Sequence, residues 1–167
     1  YLLDYARNQI WRKSADASPA NRYLLREVPS WQIKAGDPDL TEAIDFHIDG
    51  NVYVLTRQGQ IQIYSDRKLK QLKAVDLSKI EAPYQNQTAA KPLFQSLRGD
   101  TEFLYALDAA NTRVIQIAKK PPHVVKQWVF LSQDAEWGRM HDLQIHNDKL
   151  WLLAGNQVLM YPAQGNF

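Results

Sequence analysis

Two acidic residues occupy matching places in this 167-residue chain: Asp45 in Ile44-Asp45-Phe46 and Asp142 in His141-Asp142-Leu143, each just before an apolar residue. Two carboxylates converging from separate strands could hold a calcium-like cation, which takes several oxygen ligands. Glu42, His141 and Arg139 lie close by in sequence, and Trp31 and Trp137 precede the same segments, which makes these five candidate binding residues. The carboxylates also have a plainer use, since each can accept backbone NH groups from an adjacent sheet.

Other chemistries find little support. The absence of Cys excludes disulfides, cysteine nucleophiles and cysteine-ligated zinc. His47, His123, His141 and His146 lack metal-ligand spacing, and neither Gly-x-Ser-x-Gly nor a phosphate-binding glycine loop occurs. A net charge of +2 is too small to imply nucleic acid or an anionic membrane, and the clusters Arg67-Lys68-Leu69-Lys70 and Lys119-Lys120 read as solvated charge at hairpin ends. No apolar run approaches the length that spans a bilayer, so direct membrane insertion by this segment is not expected.

The elements that must position these residues repeat. Leu104 to Ile117 reads as two apolar strands joined by a polar hairpin at Asp108, and weaker copies surround Ile10, Ile61 and Val158. Registered on Ile10, Ile61, Val114 and Val158, the units are spaced 51, 53 and 44 residues apart, the range of four-stranded propeller blades. A further strand precedes three of the units (Ala43 to Ile48, Leu93 to Leu97, Asp142 to Ile145), and a fourth follows three of them (Tyr23 to Val28, Gln71 to Leu77, Val124 to Leu131). Gly50, Gly59, Gly99 and Gly155 stand where tight turns need positive φ, and Asn147-Asp148 serves without glycine. The only helical signal, a capping box at Ser78 to Glu81, is stopped by Pro83.

The strands are apolar at successive positions, as in Val52-Tyr53-Val54-Leu55 and Leu150-Trp151-Leu152-Leu153, so both faces must be covered. Stacked blades cover both. With 45% hydrophobic and 23% charged residues, the chain has enough apolar mass for a core. The fold class is therefore all-β: a partial β-propeller of four-stranded antiparallel blades, about two full and two partial, at approximately 1–30, 41–77, 92–131 and 139–167 of one domain. The chain starts and stops inside repeats, which reads as part of a longer polypeptide whose remaining blades come from the same parent chain or another subunit.

The series Leu104-Tyr105, Asp108, Asn111, Arg113, Val114 resembles the NHL repeat, with a degenerate copy at Asp4, Asn8, Gln9 and Ile10. In style the chain is also similar to propeller segments appended to bacterial PPM phosphatase-like or kinase-like membrane proteins. The resemblance implies a propeller used for binding, on the extracytoplasmic side of a bacterial membrane. In that frame Asp108 caps the NH groups of its own hairpin, Asn111 takes the left-handed conformation and Arg113 packs its stem across a neighbouring strand. The leading expectation is a non-enzymatic scaffold that binds a protein or small ligand as part of a larger sensor-like protein. Alternatives are a calcium-dependent lactonase-like hydrolase using Asp45 and Asp142, and an RNA-binding NHL-type module.

Overall fold

A computed structural model describes residues 1–4, 9–11, 40–65, 71–77, 92–130 and 140–163. Trp31, Trp137, Arg139, the Tyr23 to Val28 segment, the Ser78 to Glu81 capping box and the Arg67 to Lys70 cluster lie outside the described residues.

Thirteen strands are described: Leu2–Asp4 (β1), Gln9–Trp11 (β2), Ala43–Ile48 (β3), Asn51–Thr56 (β4), Gln60–Ser65 (β5), Gln71–Asp76 (β6), Phe94–Gly99 (β7), Phe103–Asp108 (β8), Arg113–Lys119 (β9), Pro122–Val129 (β10), Met140–His146 (β11), Lys149–Ala154 (β12) and Gln157–Pro162 (β13). They form four antiparallel meanders: β1-β2, β3-β4-β5-β6, β7-β8-β9-β10 and β11-β12-β13. The chain is a partial β-propeller with two four-stranded blades, here the first (β3–β6) and second (β7–β10), a third blade of three described strands, and a two-stranded sheet ahead of them. No helix among the described residues is long and apolar enough to cross a membrane.

The first strands of successive blades lie side by side, β3 beside β7 and β7 beside β11. Three apolar layers separate the sheets. Tyr53, Leu55, Ile61 and Ile63 of the first blade pack on Leu97, Leu104, Ala106 and Ile115 of the second. Tyr105, Leu107 and Val114 of the second pack on Leu143, Leu150 and Leu152 of the third. Ile10 and Leu3 of the two-stranded sheet pack on Val52, Val54 and Tyr64 of the first. Neighbouring residues along one strand thus feed opposite layers, which is why β4 and β8 are apolar at nearly every position.

Turn chemistry divides by position. Gly50, Gly59 and Gly155 have φ of 95°, 79° and 58°, and Asn147 and Asp148 take φ of 50° and 55°. Gly99 departs from the sequence expectation: it ends β7 without positive φ, and a Cβ there would sit 2.6 Å from His47 Nε2. Its role is close approach between blades, since only hydrogen fits between its Cα and the His47 ring.

Candidate functional site

Each innermost strand carries a β-bulge near its start, so Ile44, Gln95 and His141 have no partner on the second strand. The residues after the bulge are register equivalents: Asp45 pairs with Leu55, Ser96 with Leu107 and Asp142 with Leu153. Bulges re-aim side chains and sharpen twist. Here they bring carboxylates of the first and third blades to a side chain of the second. Arg98 Nη1 donates to Asp45 Oδ2 at 2.6 Å, and Arg98 Nη2 donates to Asp142 Oδ1 and Oδ2 at 2.8 and 3.1 Å. Nη1 also reaches the Leu97 carbonyl at 2.8 Å.

The carboxylates hold backbone as well. Asp45 Oδ2 accepts the Leu97 NH of the adjacent blade at 2.8 Å, Asp45 Oδ1 accepts the Phe46 NH, and Asp142 Oδ1 accepts the Leu143 NH. One guanidinium thus ties three blades at the axis, its two terminal nitrogens divided between Asp45 and Asp142, a spread that the single ammonium nitrogen of a lysine does not have. In this arrangement the two carboxylates do not offer a divalent cation the several free oxygens it needs. Among the described residues no group of three or more His, Asp or Glu side chains could hold a metal ion.

Glu42 and His141 sit at the opposite ends of the innermost strands from the hairpin turns that follow them. Glu42 closes a one-turn 3-10 helix, Leu40–Glu42, and faces Arg57 of its own blade at 3.7 Å with both side chains well exposed. His141 is the exposed bulge residue of β11.

The Asp108 turn works differently from the expected hairpin cap. Asp108 precedes a 3-10 turn, Ala109–Asn111, without capping it through its side chain. Instead Asp108 Oδ1 accepts the Leu93 NH at 3.0 Å, and Oδ2 accepts Asn111 Nδ2 at 2.8 Å and Arg113 Nε at 2.9 Å. Thr112 rather than Asn111 takes the left-handed conformation, with φ 45°. Arg113 is fully buried with its head paired, donating also to Gln127 Oε1 at 2.7 Å, so its charge and not only its stem is inside. The residues that resemble the repeat signature therefore fasten the second blade internally.

A second polar cluster lies on the rim formed by the β3–β4, β7–β8, β9–β10 and β11–β12 turns. Lys119, read from sequence as solvated, is 6% exposed and bonds Asp49 Oδ2 of the first blade and the Asp100 carbonyl of its own. It also lies over the Tyr53 ring, 5.5 Å from the centroid. His47, in the register position that Arg98 holds in the second blade, is 3.8 Å from Asp49, and its Nε2 is buried without a hydrogen bond. Burial, reinforced by the Lys119 charge and only partly offset by Asp49, pushes the His47 pKa down. Burial works the other way on the Asp100 carboxyl, but hydrogen bonds from the Tyr105 hydroxyl and the Phe103 and Glu102 NH groups hold it below its ordinary value. Burial and that same hydrogen bond push the Tyr105 hydroxyl well above its usual range.

Two clefts open on this rim between blades. The larger, about 620 Å³, is lined by Asp100, Glu102, Tyr105, Gln116, His146 and Asp148 among others, between the second and third blades. The smaller, about 360 Å³, lies between the first and second, with Asp49, Tyr53, Glu102, Lys119 and Lys120 on its wall. Sequence reading missed Arg98 and this rim. The available signal was register: aligning the three strands at the residue after each bulge gives Asp45, Ser96 and Asp142, and two positions on His47, Arg98 and Gln144, a cation flanked by acids.

No protein-family model matches the chain, and no curated protein matches it. Solved structures do. Glutaminyl cyclase from Myxococcus xanthus is 16% identical with a TM-score of 0.51, over 73% of this chain and 47% of that one. Hsv2 from Kluyveromyces lactis is 11% identical with a TM-score of 0.49, over 75% and 33%. BamB from Moraxella catarrhalis is 12% identical with a TM-score of 0.42, over 70% and 35%. The chain spans about a third to a half of the length of these structures, and the likeness is one of fold.

Proposed function

We propose that this chain is a propeller scaffold that binds a protein or small ligand on the rim carrying the Asp49, Asp100 and Asp148 turns. The observation that carries the reading is the contrast between axis and rim. At the axis Asp45, Arg98 and Asp142 are spent on one another and on backbone. On the rim the 620 Å³ cleft has exposed Glu102, His146 and Asp148 at its mouth and a fixed Asp100–Tyr105 pair in its wall. Preformed concave sites with a few placed polar groups are where ligands settle. The same reading takes the propeller as the NHL-like, extracytoplasmic portion of a larger sensor-like protein; the sequence of the parent gene tests that part.

The binding site is tested by selecting displayed peptides against the chain and measuring the selected peptides on Glu102→Lys and Asp148→Lys variants. At least a tenfold loss of affinity on one variant is expected. Binders indifferent to both substitutions place recognition elsewhere and overturn the assignment.

A further inference from the structure

The two rim clefts are built from the same repeat positions. The pairs Tyr53–Ile63 of the first blade and Tyr105–Gln116 of the second share one register, so Tyr105 is the counterpart of Tyr53. Asp49, Asp100 and His146 each come one residue after the matching pairs Ile48–Val52, Gly99–Leu104 and Ile145–Leu150. Beyond the third strand, the Lys119 NH donates to the Glu102 carbonyl at 3.0 Å, and the Ala163 NH donates to the Asp148 carbonyl at 2.7 Å. The pairs beside these bonds, Phe103–Ala118 and Lys149–Pro162, correspond as well. Ala163 is therefore the third blade's counterpart of Lys119.

That exchange changes the joint. Between the first and second blades the Lys119 ammonium bonds the Asp49 carboxylate and the Asp100 carbonyl and lies over the Tyr53 ring. Between the second and third, the counterparts of those three groups are the Asp100 carboxylate, the His146 carbonyl and the Tyr105 ring, and the side chain in the place of lysine is a methyl group. The cleft is correspondingly larger, about 620 Å³ against 360 Å³. Among the described residues its lining carries Asp100, Glu102 and Asp148 but no lysine or arginine, whereas the smaller cleft sets Lys119 and Lys120 against Asp49 and Glu102. Gln116, where the first blade has Ile63, donates to Tyr105 Oη at 3.3 Å and makes this wall polar.

We infer that the larger cleft takes a lysine side chain from a partner protein, its ammonium set against the Asp100 carboxylate and the His146 carbonyl and over the Tyr105 ring, as Lys119 is set in the joint before it. The assignment rests on the rim reading proposed above and adds the chemistry of the ligand. Lysine is the occupant because the neighbouring joint seats a lysine on the counterparts of these groups, with a compact ammonium that can serve two oxygens and an aromatic face together. Glu102 and Asp148, exposed at the mouth, draw a basic segment toward the cleft.

Two measurements on the 167-residue chain test this. In the first, displayed peptides that respond to Glu102→Lys or Asp148→Lys are remade with norleucine, which keeps the stem and drops the ammonium, in place of lysine. They are expected to contain lysine and to lose affinity about tenfold or more on the exchange, and Ala163→Lys is expected to abolish the difference because its own ammonium takes the place. The second measurement needs no ligand: Ala163→Lys should melt no lower than Ala163→Met, which brings a side chain of similar length without charge, and Asp100→Asn should lower the lysine variant relative to the methionine one. Rim binders that lack lysine or tolerate norleucine, or an Ala163→Lys variant that melts below Ala163→Met, overturn this inference and leave the rim reading standing. Binders indifferent to both Glu102→Lys and Asp148→Lys overturn the two together.

Discussion

Replacing Asp108 with Ala should be among the most damaging single changes available to this chain. Its carboxylate takes three donors, from Leu93, Asn111 and Arg113, and the Asp108 and Arg113 side chains are both 0% exposed. The three donors do not suffer equally. Leu93 is 57% exposed and its NH can turn to water, and Asn111 lies at the edge of the turn. Arg113 has no such exit. Removing one partner of a buried ion pair strands the other charge, at a cost of about 3–5 kcal/mol. For a chain of this size about 4 kcal/mol lowers the melting temperature by about 8–16 °C. Urea unfolding followed by circular dichroism measures the loss, and the double variant Asp108→Leu with Arg113→Met should recover most of it, because no buried charge is left behind. Glu42→Gln serves as the exposed comparison: its pair with Arg57 is open to water, and its loss should cost under about 1 kcal/mol. If Asp108→Ala costs no more than Glu42→Gln, the buried pair is not what fastens the second blade.

At the axis, Arg98→Ala leaves Asp45 and Asp142 facing each other without their cation. Because all three groups keep some water, the loss should be about 1–3 kcal/mol, and stability of this variant should rise with added salt relative to wild type as the two carboxylates are screened. Equal salt slopes for the two proteins would refute the bridging role. At the blade interface, burial and the Lys119 charge, joined by Arg98, push the His47 pKa down, and Asp49 and Asp100 offset them only in part. Its folded pKa lies below the unfolded value of about 6.5, so the unfolded chain binds the extra proton and stability falls as pH drops below about 6.5. His47→Gln should flatten the acid limb of a melting-temperature profile; an unchanged limb assigns it to other groups. Gly99→Ala puts a methyl 2.6 Å from His47 Nε2 and should cost about 1–3 kcal/mol. Adding His47→Ala should return most of that cost, and strict additivity would contradict the close-approach reading.

What was legible in the sequence, and what was not, follows from the range of the interactions. The blade register was open to reading because it is local: Ile61, Val114 and Val158 each follow a short turn, and turn type with alternation fixes which face a residue takes. Asp45 and Asp142 were placed in corresponding positions for the same reason. Arg98 was hidden because its meaning is not local. Beside Gly99-Asp100 it looks like a turn residue, and only the packing of β7 between β3 and β11 turns it into the cation that both acids meet. Lys119 was misread by the same mechanism, since its partners Asp49 and Asp100 lie 70 and 19 residues away. The repeat-signature residues reverse the lesson: Asp108, Asn111 and Arg113 sit within one turn and do interact, yet their buried charge depends on Leu93 and Gln127, contributed by the first and last strands' ends of that blade. Local pattern therefore builds each sheet, while the charged side chains that bind sheet to sheet are decided by which blades become neighbours. That division explains why the axis, composed of single residues from three blades, is a rivet of the scaffold, and why recognition is sought on the rim, where turns of free length and composition surround the clefts.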